Sequence, residues 1–187
     1  EGSLKTACSA SDAMTLQYFE ESDDVKAAFG NDLTEKQWDD ISEIKTVYTD
    51  VLFAAPLVSY NIANPLLREM LSEMETEDRE FSFLCGHDSN IACVLTCLKT
   101  EDYELPMTIV KKTPIGVKLV LSKWKAADGG EYWDADLVYQ TTGQLRNADI
   151  LSDEDHPAVY DLDFAGLEQN SDGMYKAEDM RNRFEAI

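Results

Sequence analysis

The chain has 187 residues, 44% of them hydrophobic, enough to bury a core and unlike a disordered composition. Its 37 acidic residues outnumber its 16 basic ones, and the formal net charge of −21 repels nucleic acid and anionic membrane surfaces. No stretch approaches the roughly 20 apolar residues of a membrane span. Residues 1–8, EGSLKTAC, lack the apolar stretch of a signal peptide, and a start without Met reads as a processed chain or a piece of something longer.

In chain order, the first predicted element is a helix in SDAMTLQYFEE, capped by Ser11 and Asp12. The second is better marked. Thr34 and Gln37 have capping-box spacing, Trp38, Ile41, Ile44 and Val47 recur every three or four residues, and Pro56 lies just beyond. A third helix is expected from about Val58 to Leu71, kinked or restarted at Pro65, with the charged stretch 72–80 as a linker. The pattern then changes. Phe81 to Cys85 is an apolar run broken only by Ser82, as expected of a strand buried on both faces.

Residues 89–98 read as the next helix. In it Cys93 and Cys97 form a CxxxC pair, one residue longer than the CxxC of zinc ribbons and redox sites. The i, i+4 spacing puts both thiols on one face as small core residues, with thiol chemistry the alternative. Val117–Trp124 and Tyr132–Tyr139 read as an antiparallel hairpin around Asp128-Gly129-Gly130, Ala158–Phe164 as a further strand, and 175–187 as a closing helix.

One stretch carries chemistry. In FSFLCGHDSNI, residues 81–91, a strand pattern ends in Gly86 and delivers His87 and Asp88 to the start of a helix. Open α/β sheets bind ligands at such ends, where free N–H groups favour an anion. His87 can donate to an oxyanion. Asp88, beside a bound dianion, can stay protonated and act as a general acid. The same residues also fit a plain helix cap with His87 packed, and the pattern alone leaves both readings open. His156, the other histidine, sits in the acidic stretch SDEDHPAV and reads as a solvated surface residue. No Ser-His-Asp set, P-loop or dinucleotide-binding glycine motif completes an enzyme here, and of five arginines only Arg146 lies near a predicted strand end.

GHDSNIACVLTCL, KKTPIGVKLVLSKW, LVYQTTGQLRNAD and AGLEQNSDGM together resemble, in order and spacing, the histidine acid phosphatases, in particular their bacterial glucose-1-phosphatase and phytase branch. The first part, LKTACSASDAMTLQYFEE and the Trp38 helix, resembles the last segment of that family's helical domain. The resemblance implies an α/β fold. Residues 1–78 would end the helical domain, and 79–187 would form the C-terminal part of a phosphoglycerate-mutase-like α/β sandwich. It implies hydrolysis of phosphate monoesters such as glucose 1-phosphate or inositol phosphates through a phosphohistidine, without metal or other cofactor, in the periplasm or outside the cell. Carried over, His87 holds the phosphate and Asp88 protonates the leaving alcohol. Ser89 stands where related phytases place a substrate-contacting threonine.

Two departures accompany the resemblance. The family's nucleophile lies in an Arg-His-Gly motif, absent from this chain. The chain therefore reads as a C-terminal half, inactive alone, whose partners are a small phosphate ester and the N-terminal half, with self-association as a further outcome. The alternatives are a naturally short, inactive binding or regulatory relative and, third, a mutase relative. Secondly, Leu167 and Tyr175 occupy the positions of a disulfide the family usually carries, so an apolar contact would replace it or the loop would be looser. Asp12 and Gln17 are candidates to face the pocket.

Overall fold

The computed structural model describes residues 2–22, 26–127 and 129–187. Contacts divide the chain into two compact units, each gathered from three segments: 1–52, 103–117 and 139–158 in the first, 53–102, 118–138 and 159–187 in the second.

The first unit is built around α1, Ser3–Phe19, and α2, Glu35–Phe53, of which only Phe53 belongs to the second unit. The capping box read from the sequence opens α2: Thr34 N donates to Gln37 Oε1 at 2.9 Å and Gln37 N to Thr34 Oγ1 at 3.3 Å. Trp38, Ala27, Ala28, Ile109 and Val110 are buried together, flanked by Tyr18, whose ring lies 4.4 Å from that of Trp38. α1 starts eight residues before the predicted cap. Ser11 is buried inside it and donates to the carbonyl of Ile41, while Asp12 pairs with Lys45 at 3.0 Å. A short helix, α5 (Thr142–Asn147), opens with a second capping box, Thr141 with Gln144, that the elements predicted from sequence do not include. Its Arg146 donates to the carbonyl of Tyr18 and lies over the Tyr18 ring, binding α5 to α1.

The second unit holds α3 (Pro56–Glu75), α4 (Asp88–Leu98), α6 (Ala177–Glu185) and most of the sheet. α3 packs against α4 and α6. It runs through Pro65 without interruption and extends into the expected linker. A proline inside a helix removes one backbone bond. Here Ala63 and Leu67 on either side are buried, so packing holds the helix together where propensity would break it.

The sheet orders its strands β1 (Lys118–Lys125), β2 (Glu131–Tyr139) and β3 (Ala158–Asp161), and β4 (Tyr175–Lys176) also pairs with β2. β1 and β2 form the predicted antiparallel hairpin, Lys118 opposite Val138 and Lys125 opposite Glu131; Asp128 of its loop lies outside the described residues. β2 alternates strictly, burying Trp133, Ala135 and Leu137 on one face. β3 is shorter than predicted, ending at Asp161, with Phe164 in a single bridge to Thr100.

The expected strand at Phe81–Cys85 is not formed. Residues 79–87 carry no regular structure and join no ladder of the sheet. Phe81 is 78% exposed and Phe83 68%, with Leu84 and Cys85 exposed as well. An apolar run covered on both faces needs strands on its edges and layers above and below it, and the described residues supply neither here. The cysteines on α4 behave as read. Cys93 and Cys97 are buried free thiols, and burial pushes the Cys97 thiol up to about 11, far from the thiolate that redox or metal chemistry needs. Among the described residues no helix is long and apolar enough to cross a membrane.

Candidate active site

The candidate site is the junction between the exposed segment 79–87 and α4. His87 occupies the N-cap of α4 with extended backbone, φ −115° and ψ 165°, and Asp88 is the first helical residue. The carbonyl of His87 accepts from the N–H groups of Asn90 and Ile91 at 3.0 and 3.3 Å, so the first turn of the helix closes on His87 itself. His87 is exposed, and Asp88, Ser89 and Asn90 are half-buried. Asp88 Oδ1 accepts from Ser89 N at 2.8 Å, which directs one carboxylate oxygen onto the first turn.

Asn90 is the member of the junction that the sequence pattern did not single out. Its Oδ1 accepts from His87 N at 2.9 Å, the half of a capping box that runs from the third helical residue back to the cap. The N-cap to N3 spacing of His87 and Asn90 was the signal available for it. Gly86 fits against the same side chain: a Cβ placed there would lie 3.1 Å from Asn90 Oδ1 and 3.5 Å from its Cγ.

The helix that carries these residues, α4, is anchored at its far end. Its residues from Cys93 to Leu98, except Thr96, are buried, and Arg183 donates to the carbonyls of Leu98 and Ala165. Three further arginines are likewise engaged, Arg79 with Glu73, Arg146 with Tyr18 and Glu21, and Arg181 with Glu75 and Glu131. What the junction offers chemically is one imidazole donor and one carboxyl at the positive end of a helix.

The other sequence candidates fall elsewhere. Asp12 and Lys45 line a cavity of about 110 Å³ in the first unit together with Thr15, Ser42 and Thr113, while Gln17 is exposed. His156 is exposed, and its carbonyl accepts from Gln144 Nε2 at 2.8 Å. Of the two positions expected to lack a disulfide, Leu167 is half-buried and Tyr175 is a hydrogen-bond hub. The Tyr175 hydroxyl donates to Leu162 O at 2.8 Å and accepts from Phe164 N and Gln169 Nε2, with the residue 1% exposed.

No family model matches the chain. Among curated proteins it is 35% identical over 178 residues to the glucose-1-phosphatase of Salmonella typhimurium, an alignment covering 92% of this chain and 43% of that protein. The glucose-1-phosphatase of Providencia rettgeri is 33% identical over 185 residues, covering 96% of this chain and 44% of its own length. The chain belongs to the histidine acid phosphatase family. Among solved structures, the phytase of Citrobacter braakii superposes with a TM-score of 0.88 at 26% identity, over 99% of this chain and 49% of that one. A phytase of Hafnia alvei, also solved with myo-inositol hexakis sulphate, shares the fold at a TM-score of 0.86 and 23% identity. The α/β histidine phosphatase fold is therefore that of this chain, which spans just under half the length of the relatives it matches.

Proposed function

We propose that this chain is the C-terminal part of an acid phosphatase that hydrolyses phosphate monoesters, sugar or inositol phosphates, through a phosphohistidine formed outside these residues. Residues 1–78 would close its helical domain and 79–187 would contribute the catalytic α/β part. The observation that carries the reading is the placement of His87 and Asp88 on consecutive positions at the N-terminus of the anchored helix α4. In this scheme His87 donates to a phosphate oxygen, and Asp88 gives its proton to the alcohol oxygen as the ester P–O bond breaks. Ser89 contacts the substrate from the next position. A water then cleaves the phosphohistidine, with Asp88 taking up its proton. Transferring phosphoryl groups require several cationic donors. The engagement of Arg79, Arg146, Arg181 and Arg183 supports their arriving with the nucleophile from the portion of the family's length this chain does not span.

The same portion is our proposed partner for Phe81–Cys85, whose apolar side chains are exposed in this chain; without it, self-association is the alternative cover. The resemblance further supports a periplasmic or secreted location.

The test is the leaving-group dependence of Asp88→Asn in the protein extended upstream of Glu1. A general acid contributes about 10²–10⁴-fold, and a good leaving group scarcely needs it. The expected result is a loss of that size on glucose 1-phosphate and a much smaller one on p-nitrophenyl phosphate. Equal losses on both would refute the proton-donor role.

A further inference from the structure

We propose that Asn90 is a positioning residue for the His87–Asp88 pair, and that Gly86 is glycine in order to admit it. The proposal builds on the phosphatase reading given above.

The backbone just before α4 receives no help from a sheet, since residues 79–87 join no ladder. His87 is therefore held by what reaches it from the helix. Its carbonyl is held by the N–H groups of Asn90 and Ile91, as at any helix start. Its N–H is held by a side chain, Asn90 Oδ1 at 2.9 Å. Asn90 stands on the first turn of a helix whose later turns are buried, so this bond ties an exposed residue to a fixed element. The bond sets the orientation of the His87 peptide, and with it the directions in which the His87 and Asp88 side chains leave the chain. A one-ångström error in such an aim is costly for catalysis.

Gly86 supplies the second, independent observation. Its φ is not in the left-handed region, so backbone freedom does not account for a glycine there. What accounts for it is space: an added Cβ would stand 3.1 Å from Asn90 Oδ1, the atom engaged by the His87 N–H. To relieve that contact the amide must withdraw and lengthen its bond to His87. Asparagine suits the task because it is short and neutral. An aspartate would supply the same acceptor oxygen with an added charge.

The clasp is read on the 187-residue chain itself, by NMR. In the wild type, three-bond couplings should show one fixed χ1 at both His87 and Asp88. Asn90→Ala should average those couplings and lower the protection of the His87 amide about fivefold, the scale of one ordinary hydrogen bond. Gly86→Ala should do the same without removing any hydrogen-bonding atom, and Asn90→Asp should restore the wild-type pattern. Amide protection at Cys93–Leu98 should be unchanged in all three, which separates a clasp from general loss of the helix. Averaged couplings in the wild type, or couplings that survive Asn90→Ala, would overturn the proposal. Both readouts are independent of turnover. Failure of the phosphatase reading would appear in the Asp88→Asn kinetics and leave these couplings as they are.

Discussion

At the scale of single residues, one carboxylate stands apart from the rest. Most lie on the solvated surface expected of a net charge of −21, but Asp136 does not. It projects from β2 on the same side as Asp134, beside Asp161 of β3, and one of its oxygens is buried with no hydrogen-bond partner among the described residues. Burial, then the charge of Asp134, then the hydrogen bond and charge of Asp161 raise its pKa to about 7. The folded chain therefore holds a proton there that the unfolded chain, titrating near its ordinary value of 3.8, releases much earlier. Folding is favoured by this group at low pH, and the contribution is lost between about pH 4 and pH 7 as the pH rises. A carboxamide at this position, isosteric with the protonated acid, should behave alike at every pH. Thermal unfolding of Asp136→Asn should match the wild type at pH 4 and exceed it at pH 8. Equal midpoints at pH 8 would show that Asp136 ionises there at no cost.

At the scale of elements, what was legible in the sequence follows from where each element finds its support. The start of α2 was readable because Thr34 and Gln37 satisfy each other locally. The hairpin was readable because β2 alternates between a buried and a half-exposed face. The start of α1 was hidden. Its N-cap is Gly2 with no side-chain bond, and its first turn has no acidic residue, so no local signal precedes Ser11. α3 passes Pro65 because neighbours bury Ala63 and Leu67, which no local rule foresees. At the site, the junction of GHDSN with a helix was legible, and the part played by Asn90 was not, because His87 and Asn90 have capping-box spacing without the Ser/Thr and Glu/Gln residue types that mark one in a sequence. Phe81–Cys85 is the reverse case: its sequence describes covered surroundings that the described residues do not supply. Left open, such an edge seeks a partner. In sedimentation velocity at low micromolar concentration the chain should associate with rising concentration, and replacing Phe81 and Phe83 by Asp should keep it monomeric. A monomer at every concentration, with Phe81–Cys85 amides protected from exchange, would mean that the segment is already satisfied.

At the scale of the whole molecule, the chain reproduces just under half of a phytase fold closely, with a TM-score of 0.88 over 99% of its length. It brings a proposed proton donor and a proposed phosphate-holding imidazole to one helix start, and no Arg-His-Gly motif occurs in it. On the proposed function the chemistry divides accordingly, with the acid here and the nucleophile and its arginines elsewhere. The most direct test is p-nitrophenyl phosphate turnover by two purified proteins, the 187-residue chain and the form extended upstream of Glu1. The chain alone should show no steady turnover, and the extended form should turn over steadily. Steady turnover by the 187-residue chain, abolished by Asp88→Ala, would contradict this division.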